Sequence, residues 1–164
     1  MRLISSTLSG LFLATILQAT AFAQNAHFIG TATLSPIASD GSITISFKEA
    51  GLGDNDSITY VMGGNYTANY GCVNHGGNHP SASNKTGQSG PVVASVSLPV
   101  GKNGSIRGSL TFTPPDPNDV LSCPGNQVAV LADISYSGLT LMDSTNGVYA
   151  TLSSDYESAV FYLF

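Results

Sequence analysis

A cysteine and two histidines lie close together near the middle of the sequence. Cys72, His75 and His79 have the spacing C-x2-H-x3-H, which corresponds to part of a zinc site, and these ligand types suit zinc or copper. Cys123 is the only other cysteine, and no second Cys–His pair completes the ligand set. A processed N-terminus at His27 would give copper another place to bind. We expect no bound metal and no cofactor, and a copper- or zinc-dependent secreted enzyme is the alternative hypothesis.

Patterns for other kinds of catalysis are weak. The segment Gly87–Gly90 does not match the Gly-x-Ser-x-Gly elbow of serine hydrolases. Glu49 and Glu157 are the only glutamates, and most aspartates lie in turn sequences, where Asp bonds to its own backbone. Asp133 lies inside a predicted strand, and the alternation leaves its face ambiguous. The sequence therefore predicts no catalytic residue and favours a protein that is not an enzyme.

The N-terminal residues have the pattern of an export signal. Arg2 precedes an apolar stretch from Leu8 to Ala19, and Ala21–Ala23 supplies the small-x-small motif that signal peptidase reads. The apolar stretch is shorter than the ~20 residues of a transmembrane helix. We therefore predict a signal peptide at 1–23 and a single secreted β domain at 24–164, which is extracellular, monomeric and not bound to a membrane.

The low and mostly acidic charge excludes some classes of binding partner. Without Arg2, four basic and ten acidic residues remain, and only 9% of the whole chain is charged. Nucleic acids and anionic membranes require clustered Lys and Arg, so both are excluded as partners.

Two cysteines in an exported protein are expected to pair. A Cys72–Cys123 bond would close a loop of roughly 50 residues and stabilise the fold by about 4 kcal/mol.

Four Asn-x-Ser/Thr sequons are candidates for N-glycosylation, and they begin at Asn55, Asn65, Asn84 and Asn103. Each lies in or beside a predicted loop, where a glycan would fit. We predict that some of them are used if the source is eukaryotic and that none matters if it is bacterial.

The chain has few helix signals and many short alternating segments. These predict strands at His27–Leu34, Ile43–Lys48, Ile58–Met62, Tyr66–Tyr70, Val92–Leu98, Ile106–Phe112, Val128–Tyr136, Val148–Leu152 and Ala159–Phe164, with Leu139 and Leu141 continuing one strand or starting another. Eight or nine short strands predict an all-β, single-domain antiparallel β-sandwich of immunoglobulin-like architecture, or a closed barrel. The last strand is apolar on both faces and is predicted to be internal, because an exposed apolar edge invites aggregation.

Two long loops are the predicted recognition surface. The first is predicted to run from Asn74 to Gly90 and contributes its part from Asn74 to Lys85, the second runs from Pro114 to Gly125, and the predicted disulfide would bring them together. We predict that the contacts come from the first loop, through Asn74, His75, Asn78, His79 and Lys85. Tyrosines near this loop could form a sugar- or protein-binding face, but ordinary strand packing is the favoured interpretation for Tyr60, Tyr66 and Tyr70.

Five segments together resemble a group of small exported β-proteins of fungi and actinobacteria, which share a C-x-N-x-G-G-N-x-P segment, a Gly-x-Leu strand running into Pro-Pro, a Cys-Pro and a D-x-T-N-G ending. In this chain they are Cys72–Pro80, Asn84–Lys85, Gly104–Pro115, Cys123–Pro124 and Asp143–Gly147. The resemblance implies that the two cysteines belong to one framework and that the Asn/Gly segment is a signature. It implies no activity and carries over no catalytic residue.

These features together predict a secreted, non-enzymatic binding protein, such as a fungal effector or elicitor-like protein that acts outside the cell. Its expected partner is a host protein or a cell-wall glycan. A structural protein of the cell wall is a further alternative.

Overall fold

The computed structural model describes residues 25–74 and 84–163. Within these ranges the chain forms nine strands and one helix of four residues. The elements are β1 His27–Phe28, β2 Thr33–Leu34, β3 Ile43–Ala50, β4 Ser57–Val73, β5 Lys85–Pro99, β6 Ser105–Phe112, α1 Pro117–Val120, β7 Val128–Asp143, β8 Val148–Tyr149 and β9 Glu157–Val160. The all-β prediction is confirmed. The described residues contain no helix long and apolar enough to span a membrane.

The strands form two antiparallel sheets that pack as a sandwich. In the four-stranded sheet, β6 pairs along the whole of β3, while β1 and β2 pair with successive parts of β3. In the five-stranded sheet the order is β5, β4, β7, and both β8 and β9 pair with β7. The sheets stay open, so the sandwich prediction is confirmed and the closed barrel is wrong.

The core lies between the sheets and follows from alternation along the strands. Ile43, Ile45 and Phe47 are buried on β3, and the residues between them are not. On β4 the same alternation buries Tyr60, whose ring centroid lies 4.3 Å from that of Phe47. Because one apolar face of each sheet meets the other, a period of two residues is enough to build this core.

The strand β4 is longer than the sequence predicts. Gly63-Gly64 was expected to end a strand at Met62, but β4 continues to Val73. The register with β7 shifts between Gly63 and Asn65, where Gly64 alone lies opposite Gly138 and Leu139, so the extra residue of this bulge is on β7 and Gly64 lies across from it. The strand β7 also runs without a break to Asp143, which confirms that Leu139 and Leu141 continue it.

The two ends of the domain differ from the predicted strands. The segment His27–Leu34 forms two short strands instead of one, interrupted around Gly30. The prediction of an internal strand at Ala159–Phe164 is wrong, because β9 pairs only with β7 among the described strands. Alternation explains the difference: Ala159 is half-buried, whereas Val160 is 63% exposed. An apolar segment therefore forms a half-buried edge here.

Candidate binding site at the disulfide end

The predicted disulfide is present at one end of the sandwich. Cys72 lies near the end of β4, and Cys123 lies between α1 and β7, with their Cα atoms 5.7 Å apart. The bond links positions 51 residues apart in sequence. It therefore fastens the segment after α1 to the strand that leads into the first predicted loop. We call this end of the sandwich the disulfide end.

The first predicted loop is shorter than expected. Lys85 begins β5 and pairs with Gly71, so residues 85–90 belong to a strand and not to a loop. Gly90 lies opposite Tyr66 in this pairing, and a Cβ there would lie 3.2 Å from the ring of Tyr66. This glycine therefore leaves room for a large side chain on the neighbouring strand.

Of the five predicted contact residues, the structure places Asn74 and Lys85. Both are exposed, and they lie at the two sides of the hairpin that joins β4 to β5. His75, Asn78 and His79 lie outside the described residues. The neighbouring Asn84 donates its side-chain N–H to the Gln127 Oε1 atom at 3.3 Å, which ties the hairpin to the start of β7.

A cavity of ≈ 340 Å³, which we call the polar pocket, opens beside this hairpin. Its lining residues are Asn69, Tyr70, Lys85, Thr86, Gly87 and Asp133. Asn69 donates a hydrogen bond to Asp133 Oδ1 at 2.9 Å. This contact settles the ambiguous face of Asp133, which lies with Asn69 on the outer face of the five-stranded sheet. Asn69 was missed in the sequence, because only the pairing register shows which positions on neighbouring strands adjoin the loop.

The outer face next to the polar pocket carries a row of hydroxyl groups. Thr67 on β4 pairs with Ser89 on one side and Ser135 on the other, and Ser135 pairs with Ser158 on β9. We call these four residues the hydroxyl rung. Neighbouring strands lie about 4.8 Å apart, so the rung presents a donor and acceptor group at that interval across four strands. Such a surface can form many hydrogen bonds with a partner that is itself rich in hydroxyl groups.

A second cavity, of ≈ 350 Å³, lies at the same end and includes two carboxylates in its lining. Asp40 Oδ1 accepts a hydrogen bond from the Ser42 backbone N–H at 2.9 Å, and the contacts with Ser42 lower the pKa of Asp40. Asp116 Oδ1 accepts from the Asn118 backbone N–H at 2.9 Å and caps α1. Both carboxylates therefore organise local turns, as their sequence contexts predict.

The tyrosines on β4 belong to the core. Tyr60, Tyr66 and Tyr70 are at most 8% exposed, which confirms strand packing and not a binding face. Tyr70 donates its hydroxyl hydrogen to the Pro115 carbonyl at 3.0 Å, and burial raises the pKa of Tyr70 to about 12. This tyrosine therefore helps to hold the second predicted loop against the sheet.

A group of buried ionisable side chains lies at the opposite end of the sandwich. Glu49 and Asp143 are both fully buried, and burial, followed by the charge of Asp143, raises the pKa of Glu49 to about 7. Tyr60 lies next to Glu49 and lowers its pKa in part, but within the part of the chain that the structure describes, neither the Tyr60 hydroxyl nor the Glu49 oxygens meet hydrogen-bond geometry with a partner. Local sequence patterns do not reveal this group, because Glu49 and Asp143 belong to different sheets.

The D-x-T-N-G segment has a structural explanation. Asp143 Oδ1 accepts hydrogen bonds from the backbone N–H groups of Thr145 and Asn146 at 2.8 and 3.0 Å. Its Oδ2 atom accepts another from Asn146 Nδ2 at 2.6 Å. The segment is therefore a turn held by one buried carboxylate, with Gly147 completing it through a bond to the Asp143 carbonyl.

The sequons differ in how accessible their amides are. Asn55 donates its side-chain N–H to the Leu52 carbonyl at 2.8 Å, so its amide is held against the backbone. Asn103 is exposed in the turn between β5 and β6. Asn65 is also exposed, but it lies inside β4 and not beside a loop as expected. It is two residues from Thr67 and lies on the same face as the hydroxyl rung.

The described residues contain no group of three or more His, Cys, Asp or Glu side chains that could hold a metal ion. The chain is thus a two-sheet, disulfide-linked β-sandwich with a polar pocket at one end. No family model matches the chain, and no curated protein and no solved structure matches it. Function must therefore be inferred from the chemistry of the site itself.

Proposed function

We propose that this protein is a secreted binding protein that recognises a cell-wall glycan at the disulfide end. The observation that carries the proposal is the position of the polar pocket, whose lining residues Asn69 and Asp133 follow the hydroxyl rung on the same face of the sheet. Each lies two residues along its strand from a rung residue, Thr67 and Ser135 respectively, and therefore on the same face of the sheet. A sugar chain that extends from the rung into the pocket would meet amide, carboxylate and hydroxyl groups in succession.

Charge supports a neutral glycan over a charged partner. The hydroxyl rung carries no charged residue, and the one carboxylate next to it, Asp133, already accepts a hydrogen bond from Asn69. Hydroxyl groups both donate and accept, so they match the hydroxyls of a sugar without the desolvation cost of a charge. A host protein is the other class of partner, and depletion of the protein from solution by polysaccharides distinguishes a glycan partner from a host protein.

Secretion is supported by the N-terminal pattern together with the disulfide, because disulfides persist in oxidising compartments. The chain expressed in a secreting host is expected to appear in the medium with Gln24 as its first residue. N-terminal sequencing checks this, and retention of the first 23 residues would contradict it.

Binding is tested by depletion from solution with insoluble chitin, cellulose and β-1,3-glucan. The protein should come from a host that forms disulfides but adds no N-glycans, because a glycan on Asn65 would cover the rung. We expect depletion by at least one of these polysaccharides. Thr67→Arg should weaken binding by about tenfold, since it removes a hydroxyl and places a bulky cation on the rung.

The matched control is Ser109→Arg, at an exposed position of the four-stranded sheet, and it should bind as the unaltered protein does. Circular dichroism and thermal unfolding show whether each variant is folded, and Ser158→Arg on the edge strand replaces Thr67→Arg if that variant unfolds. Depletion by none of the polysaccharides would contradict a glycan partner.

Stoichiometric copper or zinc in the purified protein, lost in a His75→Ala/His79→Ala variant, would contradict the non-enzymatic interpretation and favour a metal-dependent enzyme.

A further inference from the structure

Two cations lie side by side on the outer face of the four-stranded sheet. Lys48 on β3 pairs directly with Arg107 on β6. Without Arg2, the chain has only four basic residues, and these two are half of them. Like charges at directly opposite positions destabilise a sheet, so this arrangement opposes folding in the absence of a counter-charge.

No counter-charge is present among the described residues. Within residues 25–74 and 84–163, neither side chain takes part in a hydrogen bond or an ion pair. The only glutamate nearby in sequence, Glu49, is buried on the other face of β3. The chain has twice as many acidic as basic residues, so carboxylates were abundant, yet none lies beside this pair.

The pair borders a shallow cavity of ≈ 370 Å³ whose polar side chains are all hydrogen-bond donors. Besides Lys48 and Arg107, hydroxyl groups line it from Thr31, Thr33 and Ser46, and no carboxylate lines it. Arginine binds phosphate and sulfate oxygens in a bidentate fork, and lysine adds a compact point charge. Hydroxyls can donate to the remaining oxygens. The chemistry of the cavity is that of an oxyanion site.

We propose that Lys48 and Arg107 bind a tetrahedral oxyanion, as a phosphate or sulfate ester carries it, with Ser46 and Thr33 donating to the same group. This site lies on the sheet opposite to the hydroxyl rung and is independent of the proposed glycan binding. A bound oxyanion replaces the repulsion between the two cations by two attractions, which would account for such a pair in a chain that is otherwise acidic.

The site is tested by titrating the 15N-labelled protein, at constant ionic strength, with inorganic phosphate and separately with glucose 6-sulfate. We expect saturable shifts of the Ser46, Lys48, Arg107 and Gly108 amide signals, with a dissociation constant of about 1 mM or below. Tighter binding of the sulfated sugar than of phosphate would identify a sulfated glycan as the source of the anion, and the reverse would identify a phosphate group. Unsulfated glucose should cause no saturable shift at these positions.

Two variants distinguish specific anion binding at Lys48 and Arg107 from a general effect of removing a positive charge. Arg107→Gln should weaken binding by at least about tenfold, and it should also raise the melting temperature of the ligand-free protein, because it removes the repulsion. The matched control, Lys102→Gln in an exposed turn, should change neither property. Shifts that do not saturate, or that persist unchanged in Arg107→Gln, would overturn the proposal. An unchanged or lower melting temperature for Arg107→Gln would show that the two cations do not repel each other and would overturn its premise.

Discussion

Glu49 is expected to make the folded protein less stable as the pH rises towards neutrality. Its carboxyl group is fully buried, its oxygens have no hydrogen-bond partner among the described residues, and burial raises its pKa from 4.5 to about 7. The folded state therefore holds this proton more tightly than the unfolded chain does. By linkage, stability falls as the pH rises from about 4.5 to about 7 and is constant with respect to this group at higher pH.

The size of the effect follows from the two pKa values. A pKa of about 7 in place of 4.5 corresponds to about 3 kcal/mol at the full linkage value. Relaxation and water penetration around a buried charge lower this cost, so we expect about 1–3 kcal/mol. Asp143 and His27 also face Glu49: the charge of Asp143 raises the pKa of Glu49, and the charge of His27 lowers it.

The substitution Glu49→Gln keeps the shape of the side chain and removes the titration. Urea unfolding should show nearly equal stability for the variant and the unaltered protein at about pH 5, and a variant that is more stable by about 1–3 kcal/mol at about pH 8. Glu157→Gln, which changes the only other glutamate, is the control and should show no such pH dependence. A difference between Glu49→Gln and the unaltered protein that stays constant between these pH values would refute the reasoning.

Three further outcomes are expected. Replacing Cys72 and Cys123 by alanine should lower the free energy of unfolding by about 2–4 kcal/mol in urea, and no change would mean that the bond does not restrain the unfolded chain. Gly41→Ala should destabilise by about 2 kcal/mol or more in the same assay, because Gly41 has φ +84 and a Cβ there would lie 2.5 Å from Leu131. Gly125→Ala should destabilise the fold less, because Gly125 has φ +61 but a Cβ there would have no atom within 4 Å. In a eukaryotic host, Asn103 is expected to carry a glycan detectable by mass spectrometry, and an unmodified Asn103 beside other occupied sequons would contradict this.

The strands with regular alternation were predictable from the sequence. Ile43, Ile45 and Phe47 alternate with polar residues, and they form the buried face of β3 as expected. The disulfide was equally predictable, since a chain with two cysteines leaves only one pairing. Both inferences depend on local sequence or on a simple count, and neither needs knowledge of which strands are neighbours.

Glycines and pairing partners were the main sources of error. Gly63-Gly64 and Gly90 have the composition of turns, but they lie inside strands, where Gly64 faces a bulge of β7 and Gly90 lies next to the ring of Tyr66. The polar pocket brings Asn69 and Asp133 together from strands that are far apart in sequence. A local pattern cannot distinguish a glycine that ends a strand from one that accommodates a neighbour, and it cannot show which polar residues become adjacent.

The outer faces of the two sheets differ in a way that bears on function. The five-stranded sheet presents hydroxyl groups around Thr67, while the four-stranded sheet presents the cations Lys48 and Arg107. Only 9% of the chain is charged, so solubility depends largely on neutral polar groups, and the hydroxyl rung is consistent with that role as well as with glycan binding. The same explanation fails for the two cations, because placing them opposite each other costs stability without improving solubility over a separated arrangement. The cation pair is therefore the surface feature that most requires a ligand to explain it.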